Sequence, residues 1–144
     1  MENLHPQFVE RISSINAVSL ETARESNPIA TALATLFKAY RHALEADRES
    51  TATNVVKTNK AMFMERYQLD FEDEDTIKDA LARDLFIALR RISKDFSLSF
   101  NMKSVQQFAQ RFSNDLGIII EAGFQINVNR VRSRTTTYDI AYLH

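Results

Sequence analysis

Three arginines spaced two apart, Arg130, Arg132 and Arg134, are the residues whose type and spacing point most directly to chemistry. Alternate residues of a strand share a face, so an extended chain here lines up three guanidinium groups. Such groups match phosphate oxygens bidentately, and the hydroxyls of Ser133, Thr135, Thr136 and Thr137 would add hydrogen bonds. The same residues also suit a solubilising hairpin tip in which Arg130 stacks on Tyr138. The spacing leaves both readings open.

Other polar groups fall short of a reactive constellation. The acidic run Asp70, Glu72, Asp73, Glu74 and Asp75 could hold a hard cation, but it lacks the alternating oxygen ligands and central glycine of a calcium loop. Its four members from Glu72 onward are better read as carboxylates at the positive end of a following helix. The histidines are His5, His42 and His144, and none has a partner at ligand spacing; His42 and Glu45 could interact only locally. There is no cysteine, which rules out disulfides, thiol nucleophiles and cysteine-ligated metals. Gly117 and Gly123 are the only glycines, so no glycine-rich phosphate loop exists. Paired carboxylates assembled by folding are the one catalytic device left open. The expectation is a protein that is not an enzyme, with no catalytic residue, no metal site and no cofactor.

The elements that must position the arginines can be read from periodicity. Phe124, Ile126 and Val128 alternate with Gln125, Asn127 and Asn129, and Tyr138, Ile140 and Tyr142 alternate with Asp139 and Ala141. These are two strands of an antiparallel hairpin. A loop at 133–135 sets Val128 opposite Ile140 and Ile126 opposite Tyr142, while a shift of two residues keeps the same faces, so the register stays open. Before the hairpin, Val105, Phe108, Ala109, Phe112 and Leu116 mark a helix started by Ser99 or Asn101. Either it stops at Gly117 and leaves Ile118–Ile120 as a strand, or it runs to Ala122 with Gly123 as its end.

The strongest helical pattern lies over 75–96. Ile77, Leu81, Leu85, Ala88, Leu89, Ile92 and Phe96 form one stripe that widens at Leu85–Leu89, so several segments should pack around it. On its opposite face Arg83, Arg90 and Lys94 make a basic stripe, a second candidate phosphate-binding face or simply a solvated one. Further upstream, Asn27-Pro28 is a start signal for an alanine-rich helix with Ile29, Leu33, Leu36, Phe37, Tyr40 and Leu44 inward. Polar residues 47–54 either break it, with a restart near Val55 and Val55, Met62 and Phe63 inward, or sit in the wet middle of one long helix. Pro6, Phe8, Ile12 and Ile15 suggest a first short helix, and Ser19 a cap for another turn.

Composition agrees with this. The chain has 144 residues, 44% hydrophobic and 26% charged, with two glycines and two prolines, which favours long helices over an all-β fold. The expected fold is α+β and mostly helical. Four or five helices surround the 75–96 helix in a single domain over 1–144, with N-terminal helices over 1–67, and a helix plus antiparallel hairpin over 101–144. The N-terminus lacks the form of a signal peptide and no apolar run would span a membrane, so a cytoplasmic location is expected. Net charge is −1, which gives no global attraction to nucleic acid. Residues 101–144 nevertheless carry five cations (Lys103, Arg111, Arg130, Arg132, Arg134) against three acids, Asp115, Glu121 and Asp139.

The segment from Ser104-Val105-Gln106-Gln107-Phe108-Ala109-Gln110-Arg111-Phe112 to Asn129-Arg130-Val131-Arg132-Ser133-Arg134-Thr135-Thr136-Thr137-Tyr138 resembles the end of a winged helix-turn-helix domain, covering under a third of the chain. The resemblance implies that the helix is the reader and the hairpin the wing. Gln106, Gln107 and Gln110 would then face base edges, and the arginines the backbone. Two departures are plain: the link from Phe96 to Ser104 exceeds a tight turn, and the reading helix has only Lys103 and Arg111 as cations. Two functional expectations follow. One is a non-enzymatic nucleic-acid-binding or regulatory protein, its partner DNA or RNA. The other is a protein-interaction or assembly module, its partner another protein or, as a homo-oligomer, itself, because a bare hairpin has open edges that something must cover.

Overall fold

The computed structural model describes residues 27–51, 53, 57–130 and 135–143. The short helices expected around Pro6 and Ser19, and the inward Val55, lie outside the described residues. Within them the order is α1 (Pro28–Glu49), α2 (Asn59–Tyr67), β1 (Phe71–Asp73), β2 (Thr76–Leu81), α3 (Ala82–Asp95), α4 (Val105–Asn114), α5 (Leu116–Glu121), β3 (Phe124–Arg130) and β4 (Thr136–Tyr142). The class is α+β, with one four-stranded antiparallel sheet in the order β1-β2-β4-β3.

The helix α1 begins where sequence places it. Asn27 caps it by accepting from the Ile29 and Ala30 amides (3.1 and 3.0 Å), and Pro28 occupies the first turn, where no amide is needed. Ile29, Ala30, Ala32, Leu33, Ala34, Thr35, Leu36 and Phe37 are all buried. At 100° per residue they cover all of the helix except the side of Thr31 and Lys38, so most of its first half is enclosed; the small alanines let neighbours approach. The helix then stops. Ser50 is extended, and Thr58 caps α2 four residues after the expected restart at Val55. Asp47 bridges the break by accepting from the amides of Asn59 (2.7 Å) and Lys60 (2.9 Å). Phe63 and Tyr67 are the buried residues of α2, whereas Met62 is 50% exposed, because an inward face built on residues 63 and 67 turns Met62 away.

The main departure from the sequence reading is at 75–81. The expected helix over 75–96 starts only at Ala82, and Thr76–Leu81 is a strand. Ile77 pairs with Ile140 and Ala80 with Tyr138, with a bulge between these rows where Asp79 takes a left-handed φ of 52°. The spacing Ile77–Leu81–Leu85 fits a helix equally well; what decides is the edge of β4, whose backbone groups β2 satisfies. The carboxylates of 72–75 consequently do not sit at a helix start. Glu72 and Asp73 end β1 and Glu74 and Asp75 make the β1–β2 turn, where Asp73 accepts from the Asp75 amide (2.9 Å) and Glu74 and Asp75 pair with Arg41 of α1. Arg48 lies 3.8 Å from Glu74.

From Ala82 onward α3 packs as expected, against α1, α2, α4 and the sheet, with Leu85, Phe86, Ala88, Leu89 and Ile92 buried. It ends without glycine. Leu98 donates to the Ser93 carbonyl (2.7 Å) and Ser97 to Lys94 (3.3 Å), with Ser97 in the left-handed region at φ 58°. The helix over 105–121 runs on past Gly117 with one irregular residue, Asp115, and Gly123 closes it at φ 113°. Ile118–Ile120 are therefore helical. In the hairpin, Phe124 opposes Tyr142, Ile126 opposes Ile140 and Val128 opposes Tyr138. This register is the one displaced by two residues; the faces are unchanged.

Two aromatic clusters join helices to sheet. At one end Phe37 and Tyr40 of α1 meet Phe63, Phe71, Phe124 and Tyr142. At the other, Phe86, Phe100, Phe108 and Phe112 form a row that reaches Tyr138 of β4. A polar clamp ties α2 to α3: Arg66 pairs through two nitrogens with Asp95, which also accepts from the Tyr67 hydroxyl. Burial opposes ionisation of Asp95, but the hydrogen bonds from Arg66 and Tyr67 and the charges of Arg66 and Lys94 outweigh it and hold the carboxyl below its ordinary value. Its stabilising contribution is complete above the unfolded-state value of about 4 and is lost as pH falls through the lower folded-state value. Replacing Asp95 by Ala should lower stability at pH 7 by about 2 kcal/mol. Urea denaturation should show that deficit shrinking as pH is lowered below about 4.

Candidate nucleic-acid interface

The α4 end of the candidate site is built by its cap. Ser104 accepts from the Gln107 amide (3.1 Å), and the Gln107 carboxamide oxygen turns back to accept from the Lys103 amide (2.7 Å). Gln107 thus turns its carboxamide oxygen back to the helix start, which leaves its NH2 as the group free to face outward. Gln106 and Gln110 are exposed, as is Lys103. Phe108 and Phe112 are buried on the opposite side of α4, which fixes the glutamines outward.

Arg111 behaves differently. Its Nε donates to Asp115 (2.6 Å), one turn on, and Asp115 in turn accepts from the Asn27 side chain (2.9 Å). The guanidinium charge is therefore offset within the chain. Arg111 stands on the wall of a cleft of about 590 Å³ that also touches Pro28, Thr31, Ser97, Ser99 and Asn101. A smaller cleft of about 230 Å³ lies on its other side, against Gln107, Gln110 and Asn114.

Arg130 is the last residue of β3, exposed, and pairs with Thr136. Burial raises the Tyr138 phenol above its usual value, and the Arg130 charge works against that rise. Arg132 and Arg134 lie outside the described residues.

The second basic stripe runs along the exposed face of α3. Arg83 is exposed, with only a 3.9 Å approach to Asp84, Arg90 lies over the Phe86 ring, and Lys94 is exposed in the last turn. Arg91, on the same exposed side, donates to the Arg66 carbonyl (2.7 Å). Sequence reasoning passed over Arg91, although its place beside Arg90 was visible.

The register of the sheet relates the two basic groups. Leu81 pairs with Thr137, and Thr137 with Asn129. Leu81 and Asn129 are thus two strand spacings apart, about 10 Å. Because α3 leaves β2 directly after Leu81, Arg83 and Arg130 occupy the same end of the sheet, where β3 stops and β4 begins. Lys94 lies eleven residues further along α3, about 16 Å away at the helical rise. Arg83 is therefore the member of the α3 stripe placed at the same end of the sheet as Arg130.

No protein-family model, curated protein or solved structure matches the chain. The site is consequently argued from its own geometry. Among the described residues, no three His, Asp or Glu side chains stand close enough to share a metal ion, and no helix is long and apolar enough to cross a membrane.

The triangle of Asn27, Arg111 and Asp115 holds the start of α1 against the end of α4. Replacing Asn27 by Ala should cost about 1–2 kcal/mol through the lost cap. In a double-mutant cycle with Asp115→Ala, urea denaturation should give a coupling of about 0.5–1 kcal/mol, since both changes remove one shared bond.

Proposed function

We propose that the unit made by α3, α4 and the β3–β4 hairpin binds nucleic acid, and that the chain is a non-enzymatic binding or regulatory protein. The observation that carries this reading is the placement of Arg83 and Arg130 at one end of the sheet, where β3 stops and β4 begins. Support also comes from chain order. Both helices lie between β2 and the hairpin, and the hairpin pairs back onto β2, so helix pair and hairpin are one body.

In this reading α4 is the reader and the hairpin the wing, as in a winged helix-turn-helix. Gln106 and Gln110 are free to meet base edges, while Gln107 has its oxygen turned to the Lys103 amide. Arg130, with Arg132 and Arg134 beyond it, takes backbone phosphates, joined by Lys103 and Arg83. Arg111 contributes least while Asp115 holds it. With a net charge of −1 the attraction is local, so binding must weaken steeply with salt.

A second reading, a protein-interaction or assembly module without nucleic acid, is favoured by the apolar side chains left exposed at Ile118, Ile120, Val128 and Leu143.

The test mixes the full chain with short duplex and single-stranded DNA and RNA at two salt concentrations. Wild type should bind at low salt. A variant with Arg130, Arg132 and Arg134 changed to Ala should bind at least about tenfold more weakly, with the slope of log affinity against log salt shallower by about 3 for duplex DNA. Arg83→Ala should weaken binding to a smaller degree. Absence of binding at low salt, or binding unchanged in the triple variant, would overturn the reading.

A further inference from the structure

We propose that β3 is a self-association edge, along which a second copy of this chain pairs antiparallel. The sheet ends in two different edges. β1 is three residues long, is bulged between Phe71 and Asp73, and shows exposed Glu72 and Asp73. Shortness, a bulge and charge are the devices that stop an edge from templating another strand. β3 is neither short nor bulged, and its one charge is at its last residue. Its seven residues pair with β4 without a register shift, contain no proline, and carry no charge before Arg130.

The phase of its backbone is fixed. Leu143 donates to the Gly123 carbonyl at 2.8 Å, which makes Gly123 and Leu143 a hydrogen-bonded pair. Such pairs alternate along an antiparallel ladder. Gln125, Asn127 and Asn129 therefore turn their backbone groups to β4, and Phe124, Ile126, Val128 and Arg130 turn theirs outward. Among the described residues no strand takes them.

A second copy fits this edge because the strand is complementary to itself. About a two-fold axis at Asn127, Ile126 of each copy falls opposite Val128 of the other. That covers Val128, which is 40% exposed, from both directions. On the outer face Asn127 meets Asn127 of the second copy, and Gln125 meets Asn129, so amides meet amides. No like charges are opposed. Arg130 falls opposite Phe124 of the second copy, near where Glu121 ends α5, which brings a cation toward an acid at each end of the joint strand pair. The two Arg130 residues would stand about 20 Å apart, six strand positions. The inference does not depend on nucleic-acid binding.

The experiment sizes the full chain without nucleic acid by sedimentation over a wide concentration range, beside Val128→Lys. Val128 is exposed, so this change should leave the circular dichroism and the unfolding transition in place. Amide hydrogen exchange at Ile126 and Val128 is read in parallel. The expected result is a dimer that dissociates on dilution and is weakened about tenfold or more by Val128→Lys, which places a lysine in two cross-strand pairs. The Ile126 and Val128 amides should exchange slowly in the dimer and fast in the diluted protein. A wild type that stays monomeric at the highest concentration would overturn the proposal. So would a dimer indifferent to Val128→Lys, or slow exchange at these amides in the monomer, which would mean that the chain covers its own edge or that another partner is required.

Discussion

The pairing of β2 with β4 is the interaction on which the rest of the molecule depends. A two-stranded hairpin is marginal in water, and three strands with an apolar face are not. β2 supplies the third strand, setting Ile77 on Ile140 and Ala80 on Tyr138. It takes up the backbone groups of one edge of β4 and leaves the other edge to β3. It also aims α3, because the helix begins at Ala82 with no loop after the strand. Were β2 absent, the hairpin would have no fixed relation to α3, and the basic residues of the two would share no surface.

Two consequences spread from this pairing through the core. Tyr138, held in the middle of the sheet, receives Phe112 edge-on at 4.9 Å between ring centroids, and this seats α4 over the hairpin. With its inner side committed to aromatic packing, α4 offers polar side chains outward, Gln106, Gln107, Gln110, Ser113 and Asn114. At the other end Phe37 stacks on Tyr142 at 5.5 Å, so the enclosed half of α1 closes the core from the opposite side. The candidate interface thus sits at one end of a sheet whose other end is committed to α1.

What sequence could reveal follows the range of the interactions involved. Asn27-Pro28 marked the start of α1, a signal that acts within a few residues, whereas the polar stretch 47–54 fitted a break and one continuous helix alike, and the structure has the break. The hairpin faces were legible because alternation is local. Its register was not, because displacement by two residues leaves every side chain on the same face. Thr76–Leu81 read as helix because Ile77, Leu81 and Leu85 keep a spacing of four, and the strand that claims them is some sixty residues away, as the Asp79–Asp139 bond shows. At the site, the neutralisation of Arg111 by Asp115 was visible as an i,i+4 pair. The third member, Asn27, lies 88 residues from Asp115 and carried no signal beyond its capping role. The placement of Arg83 and Arg130 at one end of the sheet was equally hidden, since it depends on two registers at once.

The absence of cysteine from the chain allows a direct check of the β2–β4 pairing. Thr76 and Ala141 are Cα partners, one step from the Asp75–Tyr142 row whose backbone bond is 2.8 Å, and so form a non-hydrogen-bonded pair on the outer face. Such pairs stand about 4.5 Å apart at Cα, within the span a disulfide bridges. The measurement is the extent of cross-linking of a Thr76→Cys/Ala141→Cys variant under mild oxidation of the native protein. The account predicts near-complete formation of the disulfide and a raised urea midpoint in the oxidised form. Thiols that stay free in the folded protein, as they would if residues 75–96 were one helix, would contradict it.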